Sequence, residues 1–193
     1  MHYLIYKPFT MLSQFSPEGD KPTLADLPCT FRRDVYPVGR LDADSEGLLI
    51  LTGDKTINHR LLDPRFSHKR TYYVQVDGPI TDEAIRQLTD GVMITVDGKP
   101  HHTLPAQARR LPADPDLPAR NPPIRFRANI PTSWIALTLT EGKNRQVRKM
   151  TAAVGFPTLR LVRWSIGHLT AAGMRPGEVR PLSEADIQEL FIQ

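Results

Sequence analysis

Short runs rich in β-branched, aromatic and aliphatic residues recur along the chain, several with the two-residue alternation of a half-buried strand. They predict strands over 2–6 (HYLIY), 35–39, 47–52 (GLLILT), 71–77 (TYYVQVD), 92–96, 133–140, 158–164 and 178–182. In 133–140, Ile135, Leu137 and Leu139 fall on one face, so this strand is expected to be half-buried. Helices are announced by their ends. Thr81 before Asp82 and Glu83 reads as a cap with acids at the positive helix end, and Gly91 as a stop. Ser183 and Asp186 have capping-box spacing, with Leu182 and Ile187 as a staple. Asp54 is expected to cap a helix that ends at Leu62, before Pro64. A fourth helix is predicted over 144–154, with Val147, Met150, Thr151 and Val154 on one face and Arg145, Arg148 and Lys149 on the other.

The pattern breaks between Pro100 and Pro131, which holds eight of the 18 prolines and no persuasive periodicity. This stretch reads as a long ordered loop or insertion. Ile124, Arg125, Phe126 and Arg127 give it the character of a docking surface, against the plainer reading of a proline-rich excursion packed on its own domain.

Composition narrows the class. At 193 residues, 40% hydrophobic and 24% charged, the chain suits one globular domain or two tightly fused subdomains. Its one cysteine, Cys29, can make neither an internal disulfide nor a zinc site. The first residues lack a signal-peptide pattern, and no membrane-spanning run is present, so a cytoplasmic protein with no membrane partner is expected. The net charge of +4 hides an asymmetry: residues 120–180 carry 11 Lys and Arg against Glu141 and Glu178. A segment at +9 suits a phosphate-backbone binder, although a solvated basic face has the same charge.

The densest chemistry lies in Gly39-Arg40-Leu41-Asp42-Ala43-Asp44-Ser45-Glu46-Gly47-Leu48-Leu49, between two strand-like runs. Three carboxylates beside Arg40 leave three readings open: a charged turn, a Mg²⁺ phosphotransferase site on Asp42, Asp44 and Glu46, or a metal-free carboxylate site. The histidines make no convincing metal set, and His101-His102 reads as an exposed local pair. Gly39 and Gly47 do not form a dinucleotide fingerprint, so no cofactor is indicated.

That segment resembles the signature of RNA pseudouridine synthases of the ribosomal small-subunit synthase A type. Further elements follow in the family's order: Arg70-Thr71-Tyr72-Tyr73-Val74, then residues 141–150 (EGKNRQVRKM), then Val154-Gly155-Phe156-Pro157. Residues 121–125 and 130–134 look most like the family's large-subunit branch. Arg70 departs from the Lys that many relatives place there, and the chain shows no N-terminal S4 RNA-binding domain, so the whole of 1–193 reads as the catalytic domain.

The resemblance implies a pseudouridine synthase fold: two α+β subdomains sharing a continuous, mostly antiparallel sheet with a central catalytic cleft. It implies isomerisation of a uridine in ribosomal RNA, with large-subunit (23S) RNA as the partner, no cofactor and no obligate protein partner. It assigns Asp42 as the catalytic aspartate, Tyr72 as the residue stacking on the base, Arg148 as the partner of Asp42, and Arg40 as a filler of the flipped base's place. Arg120, Arg125, Arg127, Lys143, Arg145 and Lys149 are the expected RNA contacts. A catalytically silent RNA-binding or ribosome-assembly protein on the same scaffold is the competing class.

Overall fold

A computed structural model describes residues 1–66, 68–125 and 127–192. In chain order its elements are β1 (His2–Lys7), β2 (Tyr36–Pro37), β3 (Glu46–Thr52), α1 (Lys55–Leu62), β4 (Arg70–Asp77), α2 (Asp82–Asp90), β5 (Met93–Val96), β6 (Lys99–His102), β7 (Gln107–Arg110), β8 (Thr132–Leu139), α3 (Gln146–Ala153), β9 (Thr158–Ile166), β10 (Leu169–Thr170), β11 (Val179–Leu182) and α4 (Glu184–Glu189). The class is α+β, with a large, mostly antiparallel sheet and few helices. The chain divides into two compact units: Met1–His68 with Pro118–Pro122 and Arg163–Gln193, and Lys69–Leu117 with Pro123–Val162. Residues of β9 fall in both.

In the first unit the strand order is β11–β1–β3–β9, with β2 also paired to β3. β3 is buried along its whole length, which explains its near-continuous apolar run. Ile5, Leu49 and Leu51 pack with Met11, Leu24, Leu27 and Val35. The β1–β3 register sets Ile5 opposite Leu49 and Lys7 opposite Gly47. Alternation along β1 therefore turns Lys7 to the same apolar face as Ile5, beside a residue with no side chain. Asp54 caps α1 through the Thr56 and Ile57 amides, and Ser183 and Asp186 form the predicted capping box on α4.

In the second unit the order is β9–β4–β8–β7, and β5 and β6 form a separate hairpin. β4 alternates, with Tyr72, Val74 and Val76 buried and Tyr73 and Gln75 half-exposed. The buried row meets Ile135, Leu137 and Leu139 of β8 and Val147 and Met150 of α3. Thr81 caps α2, which ends at Gly91 with φ +100°.

Two expectations change. The 100–131 stretch is not uniformly loop, because β6 reaches His102 and β7 occupies 107–110, paired to β8 from Gln107↔Thr138 to Arg110↔Ile135. The fourth helix begins at Gln146, two residues later than predicted, because Arg145 adopts a left-handed conformation (φ 51°, ψ 33°).

Candidate active site

The loop from Gly39 to Ser45 enters β3 and is braced through its main chain. Ser13 Oγ donates to the Leu41 carbonyl (2.7 Å) and accepts from the Leu41 amide (3.0 Å). The Ser45 amide donates to the Asp42 carbonyl (3.0 Å), and the Thr10 amide to that of Ala43 (2.7 Å). Leu41 is buried. Asp42 thus sits half-buried on a backbone held from both sides. Arg40 is exposed and donates to Gln14 Oε1 (3.1 Å).

Beneath this loop lies a residue that sequence reasoning missed. Lys7 is wholly buried, and its Nζ donates to the carbonyls of Pro8 (2.9 Å) and Met11 (2.8 Å), with that of Ala43 at 3.5 Å. Burial pulls its pKa down to about 8, against the opposing fields of Glu46, Asp44 and Asp42. The three carboxylates therefore all lie in the field of the lysine ammonium. Among the described residues no three His, Cys, Asp or Glu side chains come together to hold a metal.

The depressed pKa gives a testable pH dependence. Between about pH 8 and 10.5 the unfolded chain holds this proton and the folded chain does not. Lys7 alone therefore makes the protein about 3 kcal/mol more stable across that rise in pH. Activity should move the other way, because the field of this one cation on the carboxylates is lost. Single-turnover rates at saturating RNA should fall on an alkaline limb near pH 8, and Lys7→Met should be slow and flat there. An unchanged limb in the variant would disconnect Lys7 from the chemistry.

The second unit carries Tyr72 and Arg148. Tyr72 stands opposite Leu137 at the end of the buried row of β4 and is 9% exposed. Tyr73 faces the other way. On α3, Val147, Met150 and Thr151 are buried, which leaves Arg148 and Lys149 half-buried, while Lys143 and Arg145 are exposed. Thr151 Oγ1 meets Thr158 Oγ1 at 2.7 Å and ties the helix to β9. Arg70 opens β4, and a Cβ on Gly142 would lie 3.5 Å from its Nη2. His101, expected in an exposed loop, is instead half-buried on β6, 3.1 Å from Glu141 Oε2.

The proposed docking arginines are not equivalent. Arg120 belongs to the first unit, its guanidinium 4.0 Å over the Phe9 ring and its Nε donating to the Pro122 carbonyl (2.8 Å). Arg125 and Arg127 belong to the second unit and are exposed; Arg127 lies 3.7 Å from Asp77. Phe126 lies outside the described residues. Replacing the three arginines with Gln should lower the log–log salt slope of RNA binding by about 2, from the two exposed side chains. A slope equal to wild type would make this stretch packing alone.

A family profile described as RNA pseudouridylate synthase matches residues 2–153. The chain belongs to this family. It is 50% identical over 178 residues to ribosomal large subunit pseudouridine synthase E of Xanthomonas axonopodis pv. citri, covering 91% of this chain and 90% of the relative. Over 173 residues it is 49% identical to the protein of that name in Vibrio parahaemolyticus (89% and 69% covered), and over 190 residues 32% identical to ribosomal large subunit pseudouridine synthase B of Bacillus subtilis (98% and 71%). A solved pseudouridylate synthase structure superposes with a TM-score of 0.76 at 27% identity, covering 98% of this chain and 73% of that one. Among the described residues no helix of this synthase is long and apolar enough to cross a membrane.

Proposed function

We propose that this synthase converts a specific uridine of large-subunit ribosomal RNA to pseudouridine in the cytoplasm, with Asp42 as its essential carboxylate and no cofactor. The reaction breaks the bond from C1′ to N1, turns the detached uracil and joins C1′ to C5; the C5 proton is lost and N1 ends protonated. Atoms and oxidation state balance, so no group donor or redox partner is needed. A carboxylate can start it either as a nucleophile at the sugar or as a base at C2′. Asp is suited to both because its ordinary pKa leaves it ionised at neutral pH.

The observation that carries the assignment is the braced loop, which fixes the Asp42 backbone over a buried lysine within the segment that bears the family signature. Tyr72 is assigned to stack on the uracil, since base flipping costs a few kcal/mol and stacking on an aromatic ring returns part of it. Arg148 is assigned, as the family resemblance implies, to serve Asp42 in the RNA-bound enzyme. Arg40, Lys143, Arg145 and Lys149 bind the RNA.

Loss of the C5 hydrogen supplies the assay. Large-subunit RNA made with uridine tritiated at C5 should release tritium on incubation with the protein, in EDTA as well as without it. Reverse-transcription mapping should place one new pseudouridine. Binding without tritium release, from naked RNA and from assembled subunits alike, would favour the catalytically silent alternative.

A further inference from the structure

We propose that Glu141 is a positioning residue for the catalytic helix: it clamps the turn before α3 to the β5–β6 hairpin and so sets where Arg148 is presented. The proposal rests on the role assigned above to Arg148.

The start of α3 lacks the usual means of fixing a helix end. Its N-cap residue, Arg145, is left-handed and its side chain does not cap the helix. Gln146 takes over instead. Its Oε1 accepts from the Lys143 amide (3.0 Å), and its amide nitrogen donates to Glu141 Oε1 (2.8 Å). Glu141 carries the connection out of the turn. The same Oε1 accepts from the Leu104 amide (2.8 Å), just past β6, and Oε2 lies 3.1 Å from His101 Nε2 on that strand. One carboxylate thereby joins the helix start to residues about forty positions away in sequence.

Burial makes these bonds matter. Gln146 is 4% exposed and the Glu141 side chain 12%, so water substitutes poorly for a lost partner. The helix body is held separately: Val147, Met150 and Thr151 anchor it in the core. Removing the clamp therefore loosens the first turn, where Arg148 sits, without removing what keeps α3 folded. Misplacing a catalytic group by about 1 Å costs on the order of 10²-fold in rate.

The test is a set of variants assayed for single-turnover rate at saturating RNA, RNA Kd and thermal midpoint. Glu141→Ala should slow turnover about 10–100-fold with Kd changed less than about threefold. Glu141→Gln keeps an oxygen for the Leu104 and Gln146 amides and should recover to within about threefold of wild type. Gln146→Met matches the buried volume without either hydrogen bond and should repeat the Glu141→Ala split, which covers the case in which Glu141→Ala does not fold.

Acting through Arg148 means that Glu141→Ala adds little once that residue is gone. Arg148→Ala alone should lower the rate more than the affinity, and the double variant should match it within about twofold. Multiplied losses in the double variant, or wild-type rates in Glu141→Ala and Gln146→Met, overturn the clamp and leave the Arg148 assignment intact. A wild-type rate in Arg148→Ala overturns both.

Discussion

Asp42→Asn is expected to keep the fold and much of the RNA affinity while cutting single-turnover isomerisation by on the order of 10⁴-fold or more. The substitution is nearly isosteric, and the loop is braced through its main chain: Ser13 holds Leu41, Ser45 reaches the Asp42 carbonyl and Thr10 that of Ala43. What the amide cannot do is attack the sugar or take a proton from it, so either route at the glycosidic bond loses its initiating group. Asp44→Asn should be milder, since it alters the field around Lys7 without removing that group. Rates at saturating RNA, with thermal midpoints as the folding control, separate the outcomes. Losses of equal size in both variants would move support from a single catalytic aspartate to a carboxylate cluster.

The largest effect on stability is expected from Gly47→Ala, a loss of about 3–4 kcal/mol. Two costs meet at this position. Its φ of +106° lies where a side chain is strained, which alone costs about 1–2 kcal/mol. A Cβ there would also fall 2.3 Å from the Arg163 carbonyl oxygen and 2.7 Å from the Arg163 nitrogen, both main-chain atoms of β9 that cannot turn aside. Two other glycines divide the costs. Gly19 has φ +60° with nothing within 4 Å of a Cβ, so Gly19→Ala measures backbone strain alone; at Gly39, with φ +71°, a Cβ meets only the tip of Leu62 at 3.3 Å. Urea unfolding should rank the losses Gly47, then Gly39, then Gly19, with midpoints moving at constant m. A Gly47→Ala midpoint no lower than that of Gly19→Ala would show that β3 and β9 part without cost.

Most elements were legible because their signal is local. β1, β3, β4 and β8 are six to eight residues long with apolar or alternating patterns, and Thr81, Asp54 and Ser183 cap helices by bonds spanning two or three residues. β6 (KPHH) and β7 (QARR) were not, since they pair through main-chain atoms and their side chains carry no strand pattern. The predicted strand over 35–39 shrinks to two residues around exposed Tyr36.

The site divides on the same line. Asp42 stands out because charge is concentrated around it in sequence. Lys7 looks like the solvated end of an apolar strand, and only the pairing with Gly47 turns it inward. The contact between His101 and Glu141 spans 40 residues, a distance at which neither spacing nor composition speaks.

Burial of Lys7 also turns the protein into its own amine-footprinting probe. Lys21, Lys55, Lys69, Lys99 and Lys143 are exposed, so an acylating reagent will mark them in the native protein. The Lys7 amine has no accessible surface and can react only when the end of β1 lifts away from Gly47. Its acylation rate, read peptide by peptide by mass spectrometry, therefore reports how often the floor beneath Asp42 opens. RNA that binds the closed form should slow labelling at this lysine even where it touches none of the exposed ones.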